Sequence, residues 1–267
     1  MSNTQVSKKW ADLGPRVKSA VVMAIIGAVA ILSGGFIYAV LVAAVTGMLY
    51  WELFHMLGTK NAEKMRLTAG SLAIITLMLS AFLLTWYGFL ILIFVACVMA
   101  VLMDVNLKKF APLAVLVAFG AYGLLELRLN HGLWAALWLI LVVVFTDIGG
   151  YVAGRIFGGP KFWPQISPKK TWSGTIAGWA LAAVVGILYA SSSSIGAELV
   201  IISVFVSFAS QMGDILESAF KRKQGIKDSS DLIPGHGGFF DRFDGMIGAA
   251  SFVTLLAAVG AMPMIGG

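Results

Sequence analysis

Apolar residues run through this chain in long blocks from Val17 to Met262, broken only by short polar segments. A helix needs about 20 apolar residues to cross a hydrocarbon core roughly 30 Å thick. The blocks predict nine helices: Val17–Ser33, Phe36–Phe54, Ala69–Thr85, Tyr87–Met103, Phe110–Leu125, Leu133–Phe157, Gly174–Ala190, Leu199–Phe220 and Met246–Met262. Two neighbouring pairs are nearly fused. As one helix, Val17–Phe54 would be about 57 Å long at 1.5 Å per residue, so the chain must turn, and Ser33, Gly34 and Gly35 are the place for it. Trp86, Tyr87 and Gly88 play that part in the second pair, with aromatics suited to a membrane interface.

Composition turns this pattern into a class. With 59% hydrophobic and 12% charged residues and a mean hydropathy of +0.91, the chain is too apolar for a soluble domain. The expected fold is an all-α integral membrane protein, a polytopic bundle of about nine transmembrane helices. It forms a single membrane domain, 1–267, with 1–130 as scaffold helices facing lipid and 131–267 carrying the chemistry. The basic amino-terminal stretch lacks a clear small-x-small cleavage site and is read as leading into a span.

Charge then sets an orientation. With the amino terminus inside and the carboxyl terminus outside, every one of the 19 lysines and arginines except Arg128 falls on the cytoplasmic side. The net charge of +6 is therefore mostly topology and carries no argument for a nucleic-acid partner. The single cysteine, Cys97, sits in an apolar run, which excludes a disulfide framework and a cysteine-based zinc site. Gly150–Gly154 and Gly174–Gly178 have GxxxG spacing, read first as packing within the chain.

The polar residues that remain crowd into two cytoplasmic loops and the helix ends beside them. ISPKKTWSG (166–174) holds a turn-forming Ser167 and Pro168, then Lys169, Lys170 and Thr171 before a span. Such a lysine pair can cradle a phosphate at a helix amino terminus or anchor the loop inside; spacing leaves both open. Asp147 interrupts one span, and Asp214 and Glu217 lie near the end of another. Carboxylates there face a cavity, a pair or an ion. On a helix, Asp214, Glu217, Ser218 and Lys221 share one face, with Glu217–Lys221 pairing as the structural alternative.

The densest stretch is KDSSDLIPGHGGFFDRFDG (227–245). Asp241 and Asp244 offer oxygen ligands for a hard cation such as Mg2+ where Asp214 can meet them, provided the last two spans pack together. Gly237 and Gly238, beside His236, let backbone approach a bulky anion, and His236 suits a phosphate contact or a structural loop contact.

The segment 218–244, SAFKRKQGIKDSSDLIPGHGGFFDRFD, resembles the signature of the phosphatidate cytidylyltransferases, or CDP-diacylglycerol synthases. It matches at Ser218, Lys221, Arg222, Lys227, Asp228, Pro234, His236, Gly237, Gly238, Asp241, Arg242 and Asp244. Similarity extends upstream through SQMGDILES, DIGGYVAGRIFGG and SPKKTW. Ser173 departs from the acidic or amide residue common after that tryptophan.

The resemblance implies a multispan enzyme of phospholipid biosynthesis, often dimeric, in a bacterial inner membrane. It would join CTP to phosphatidic acid, giving CDP-diacylglycerol and pyrophosphate, with divalent cations held by aspartates. On that reading Asp214 and Asp244 are ligands, with Asp241 and Asp147 as further candidates for a two-ion site. Lys227, Lys221, Arg222 and Arg242 hold phosphates, Asp228 and His236 join the catalytic group, and 167–171 contacts a substrate. Two other readings have distinct signatures. A CTP-dependent lipid kinase would transfer the γ-phosphoryl group, and a secondary transporter would cluster its carboxylates near the midplane.

Overall fold

The computed structural model describes residues 13–82, 88–191, 196–233, 235–263 and 265. Among them the chain forms nine helices: α1 (Leu13–Ser33), α2 (Gly35–Met56), α3 (Ala62–Phe82), α4 (Gly88–Leu102), α5 (Leu107–Asn130), α6 (Gly132–Ile156), α7 (Trp172–Ala190), α8 (Glu198–Lys223) and α9 (Phe240–Ala258). Five of these, α2, α5, α6, α7 and α8, are long and apolar enough to cross a membrane. The apolar parts of α1 and α4 are shorter. Trp86 and Tyr87 of the second expected turn, Lys8 and Lys9, and Pro234 of the signature lie outside the described residues.

The break between α1 and α2 falls at Gly34, whose φ of 64° suits a residue without a Cβ. A Cβ there would also collide with the Arg128 guanidinium. Arg128 donates through Nε to Ile31 O (2.7 Å) and through Nη2 to Leu32 O (3.4 Å). The one basic residue expected outside the cytoplasm thus satisfies open carbonyls at the end of α1, where a cation is favoured.

Small residues bring the carboxyl-terminal helices into close contact. α6 and α7 pack through their two GxxxG pairs: a Cβ on Gly174 would sit 2.5 Å from Gly150 O, and one on Gly178 3.1 Å from Thr146 O. Both motifs therefore serve packing within the chain. α8 and α9 meet where Gly213 and Gly248 face each other; a Cβ on Gly248 would lie 2.8 Å from Gly213 Cα.

Polar side chains tie the same helices together. Thr146 Oγ1 donates to Ser207 Oγ (2.7 Å), and Trp138 Nε1 to Ser203 Oγ (2.9 Å). Gln211 links α8 to α7, accepting from Trp179 Nε1 (3.0 Å) and donating to Thr175 O (3.3 Å). In an apolar surrounding such groups must find partners, so these bonds fix which faces meet.

One feature departs from the all-α expectation. Lys161–Trp163 (β1) and Ser167–Thr171 (β2) form a two-stranded antiparallel hairpin between α6 and α7. Ser167 and Pro168, expected in a turn, belong to β2, and the reversal falls at 164–166. Strands this short carry too little alternation to be read from sequence. Thr171 ends β2 and caps α7, its Oγ1 accepting from Gly174 N (3.2 Å). Ser173 donates to Gly158 O and lies 3.0 Å from Thr171 Oγ1, tying the start of α7 to the segment before β1.

Candidate active site

A cleft of about 250 Å³ opens where α6, β2, α7 and α8 converge. Asp147 enters it from α6, Lys169, Lys170 and Thr171 from the hairpin, and Gln211 and Asp214 from α8. Lys170 Nζ lies 2.6 Å from Asp214 Oδ2 and 3.3 Å from Gln211 O. Ser218, one turn further along α8, donates to Asp214 Oδ1 (3.2 Å). Asp244 stands near the same group, within reach of the charges of Asp214, Asp147 and Lys170, and of Glu217 further along α8. The glycine contact between α8 and α9 allows this approach: a Cβ on Gly213 would run into the carbonyl of Asp244.

Asp241 does not join that group. Lys221 pairs with its Oδ1, while Oδ2 accepts from Ser229 N (2.9 Å), Ser229 Oγ (2.9 Å) and Gly238 N (2.8 Å). Burial works against its charge, but Lys221 and the two N–H groups outweigh it and hold the carboxyl below its ordinary range. Lys221, only 8% exposed, also lies 2.8 Å from Glu217 Oε2. A lysine enclosed by two carboxylates is paired within the protein, the structural alternative to the phosphate contact expected for it. Gly238 is likewise enclosed, since a Cβ there would collide with Ser229 Oγ and Glu52 Oε1. Its N–H donates to Asp241.

The other signature residues line the approach. Lys227 and Asp228 are exposed. Arg222 is exposed and donates to Ile226 O (3.2 Å), while Arg242 donates through Nε and Nη2 to His236 O (3.0 and 2.9 Å). His236 Nδ1 lies 3.0 Å from Ser19 Oγ of α1, a loop contact. Gly237 has a φ of 77°, and its carbonyl accepts from Ile233 N (2.8 Å). Ser167 stands at the far end of β2, opposite Trp163, away from the cleft residues.

Against this geometry, a family model described as Cytidylyltransferase family matches residues 15–259. The chain belongs to the Cytidylyltransferase family. It is 34% identical over 261 residues to the phosphatidate cytidylyltransferase of Brucella suis biovar 1 (strain 1330), covering 94% of this chain and 96% of that one. Its likeness to the phosphatidate cytidylyltransferase of Haemophilus influenzae is 38% over 162 residues, covering 55% and 56%. With that of Bacillus subtilis (strain 168) it is 36% over 133 residues, covering 49% of each.

Cytidylyl transfer brings phosphates together, so the fit of this site to a divalent cation can be tested from its donors. Asp147, Asp214 and Asp244 supply only carboxylate oxygens, the set a hard cation prefers. Three carboxylates against the ammonium groups of Lys169 and Lys170 leave a net negative charge, which a divalent ion would offset. Among the described residues no three acidic or histidine side chains stand at ligand distance from a common point. The donor chemistry fits, with Lys170 holding Asp214 in the position a cation would contest.

Sequence reasoning missed one residue. Glu52, in the middle of α2, is 0% exposed and accepts from Ser229 Oγ, Ser230 Oγ, Phe239 N and Phe240 N at 2.9, 2.6, 2.8 and 2.6 Å. Its signal was a lone carboxylate in the apolar run GMLYWELFHM. The helices read as scaffold therefore reach the signature loop directly.

Proposed function

We propose that this protein transfers the cytidylyl group of CTP to phosphatidic acid, giving CDP-diacylglycerol and pyrophosphate. The observation that carries the reading is the cleft in which Asp147, Asp214 and Lys170 meet beside Asp244, in a chain of this family. A phosphate oxygen of phosphatidic acid attacks the α-phosphorus of CTP, and the bond from that phosphorus to the bridging oxygen of pyrophosphate breaks. No general base is needed, because the attacking phosphate is already ionised.

The obstacle is anion meeting anion, so neutralising charge is the main catalytic task. Lys170 swings from Asp214 to a triphosphate oxygen, with Lys169 beside it. Asp147, Asp214 and Asp244 would hold Mg2+, which supplies charge neutralisation at the phosphates. The same carboxylates would be available to a second ion. Exposed Lys227, Arg222 and Arg242 draw the lipid headgroup to the loop, Asp228 orders the water-facing side of that loop, and His236 with Gly237 shapes its turn. Asp241 acts by position, through Lys221 and the loop N–H groups.

In the same proposal all nine helices lie in or across a bacterial inner membrane. The amino terminus and both polar loops face the cytoplasm, the carboxyl terminus lies outside, and a second copy of the chain is the partner. CTP is soluble and the lipid headgroup lies at the surface, so a site at that boundary admits both. The test follows α-labelled CTP into lipid with purified protein in detergent, phosphatidic acid and Mg2+. Lipid label that requires all three and vanishes with EDTA is expected. Label that stays in water while γ-labelled CTP marks a lipid alcohol would replace this reading with a kinase.

A further inference from the structure

Helix α9 starts without a cap of its own, since Phe239 offers no side-chain oxygen to the first open N–H groups. The cap comes from α2, far away in sequence. The two Glu52 oxygens accept from Phe239 N and Phe240 N, and the same oxygens accept from Ser230 Oγ and Ser229 Oγ. The carboxylate is 0% exposed, beside Leu53, Phe54 and Phe240 in the largest apolar cluster. A charge held this far from water persists only where donors saturate it, and the positive end of α9 adds to them.

Ser229 connects this cap to the signature. Its hydroxyl lies 2.9 Å from both Glu52 Oε2 and Asp241 Oδ2, so one proton is shared between two carboxylates. Asp241 in turn gathers Gly238 N and Lys221, which reaches back to Glu217 on α8. Asp244 follows one turn later on α9, in the group with Asp214 and Asp147.

We propose that Glu52 is a positioning residue for transfer: by capping α9 and fixing the 229–230 turn, it sets the height of α9 against α8 and so the place of Asp244. Glu52 touches no substrate. Its amide variant keeps the shape but turns an NH2 group toward groups that already donate. This inference rests on the cytidylyl-transfer reading, and label transfer by the unaltered protein tests that reading separately.

The experiment compares Glu52→Gln and the milder Ser230→Ala with the unaltered protein in detergent. It reads kcat, KM for CTP, the Mg2+ concentration giving half activity, and hydrogen exchange. Losing a charge-assisted bond at this cap predicts a kcat about 10- to 100-fold lower for Glu52→Gln. KM for CTP should stay within about twofold, because the cleft on α6, β2 and α8 is untouched. Half activation should need more Mg2+, and faster exchange should be confined to 228–244. Ser230→Ala should repeat the pattern at about 2- to 5-fold, as a weaker neutral donor would, and should add nothing in the Glu52→Gln background.

A kcat unchanged in Glu52→Gln would overturn the proposal. So would a loss that merely follows the unfolded fraction, or full additivity of the two variants. If Glu52→Gln does not fold, Ser230→Ala decides: normal kcat and Mg2+ dependence with that bond removed would overturn it equally.

Discussion

The closeness of α8 and α9 is the feature on which the site most depends, and Gly248→Ala tests it directly. A Cβ on Gly248 would stand 2.5 Å from Ala209 O and 2.8 Å from Gly213 Cα, both backbone atoms of α8. Ordinary contact begins at 3.4 Å, so relieving the first clash requires the helices to part by 3.4 − 2.5 = 0.9 Å. Overpacking of this kind costs about 1–3 kcal/mol, offset in part by the roughly 1 kcal/mol that alanine gains over glycine within a helix. Stability should therefore change little. Activity should change more, because Asp244 lies one turn from Gly248 and Asp214 follows Gly213. A displacement of about 1 Å at reacting groups can cost 10²-fold. We expect kcat for lipid labelling to fall about 10- to 100-fold while thermal unfolding in detergent shifts by only a few degrees. Gly70→Ala, on α3, is the control, since a Cβ there meets nothing within 4 Å. If Gly248→Ala keeps kcat within about twofold of the unaltered enzyme, close approach of α8 and α9 is not what brings the carboxylates together.

Other substitutions separate the two charged clusters. Asp214→Asn and Asp244→Asn should each lower kcat by at least about 100-fold with normal membrane insertion, the size expected when a charge-neutralising group is lost; retained turnover in either would remove it from the cation set. Lys170→Ala should lower kcat/KM for CTP by about 10- to 100-fold, with partial recovery in Lys170→Arg, because the charge faces phosphate in the transition state; an effect on phosphatidic acid alone would assign Lys170 to the other substrate. Asp241→Asn should act first on stability. It leaves Lys221 short of a partner in a buried pair and should cost about 3 kcal/mol, read as a lowered unfolding temperature. An inactive Asp241→Asn protein of unaltered stability would place Asp241 among the substrate or metal contacts instead.

Much of the architecture was legible because a segment that crosses lipid must satisfy its backbone groups within a helix. Apolar block length alone led to the helices and to the turn at Gly34. Helical period placed Asp214, Ser218 and Lys221 on one face, and the structure joins Asp214 to Ser218 and Lys221 to Glu217 along it. Motif spacing pointed to the family. The sequence could not say which signature charges face a substrate and which face each other. Lys221 and Lys170 look alike in the chain, yet the first is enclosed by Glu217 and Asp241 while the second lines an open cleft.

That division is made by packing between segments far apart in sequence. Gly213 and Gly248 set how closely α8 and α9 approach, and neither glycine announces its partner. Glu52 and Ser230 are joined across 178 positions, a contact that no local period encodes. Hydrophobic pattern and residue type thus determined the helical class, the family and the inventory of reactive groups, since each depends on local physics. The tertiary structure decided the partners, because burial and hydrogen bonding of a charge depend on what the rest of the chain brings within about 3 Å of it.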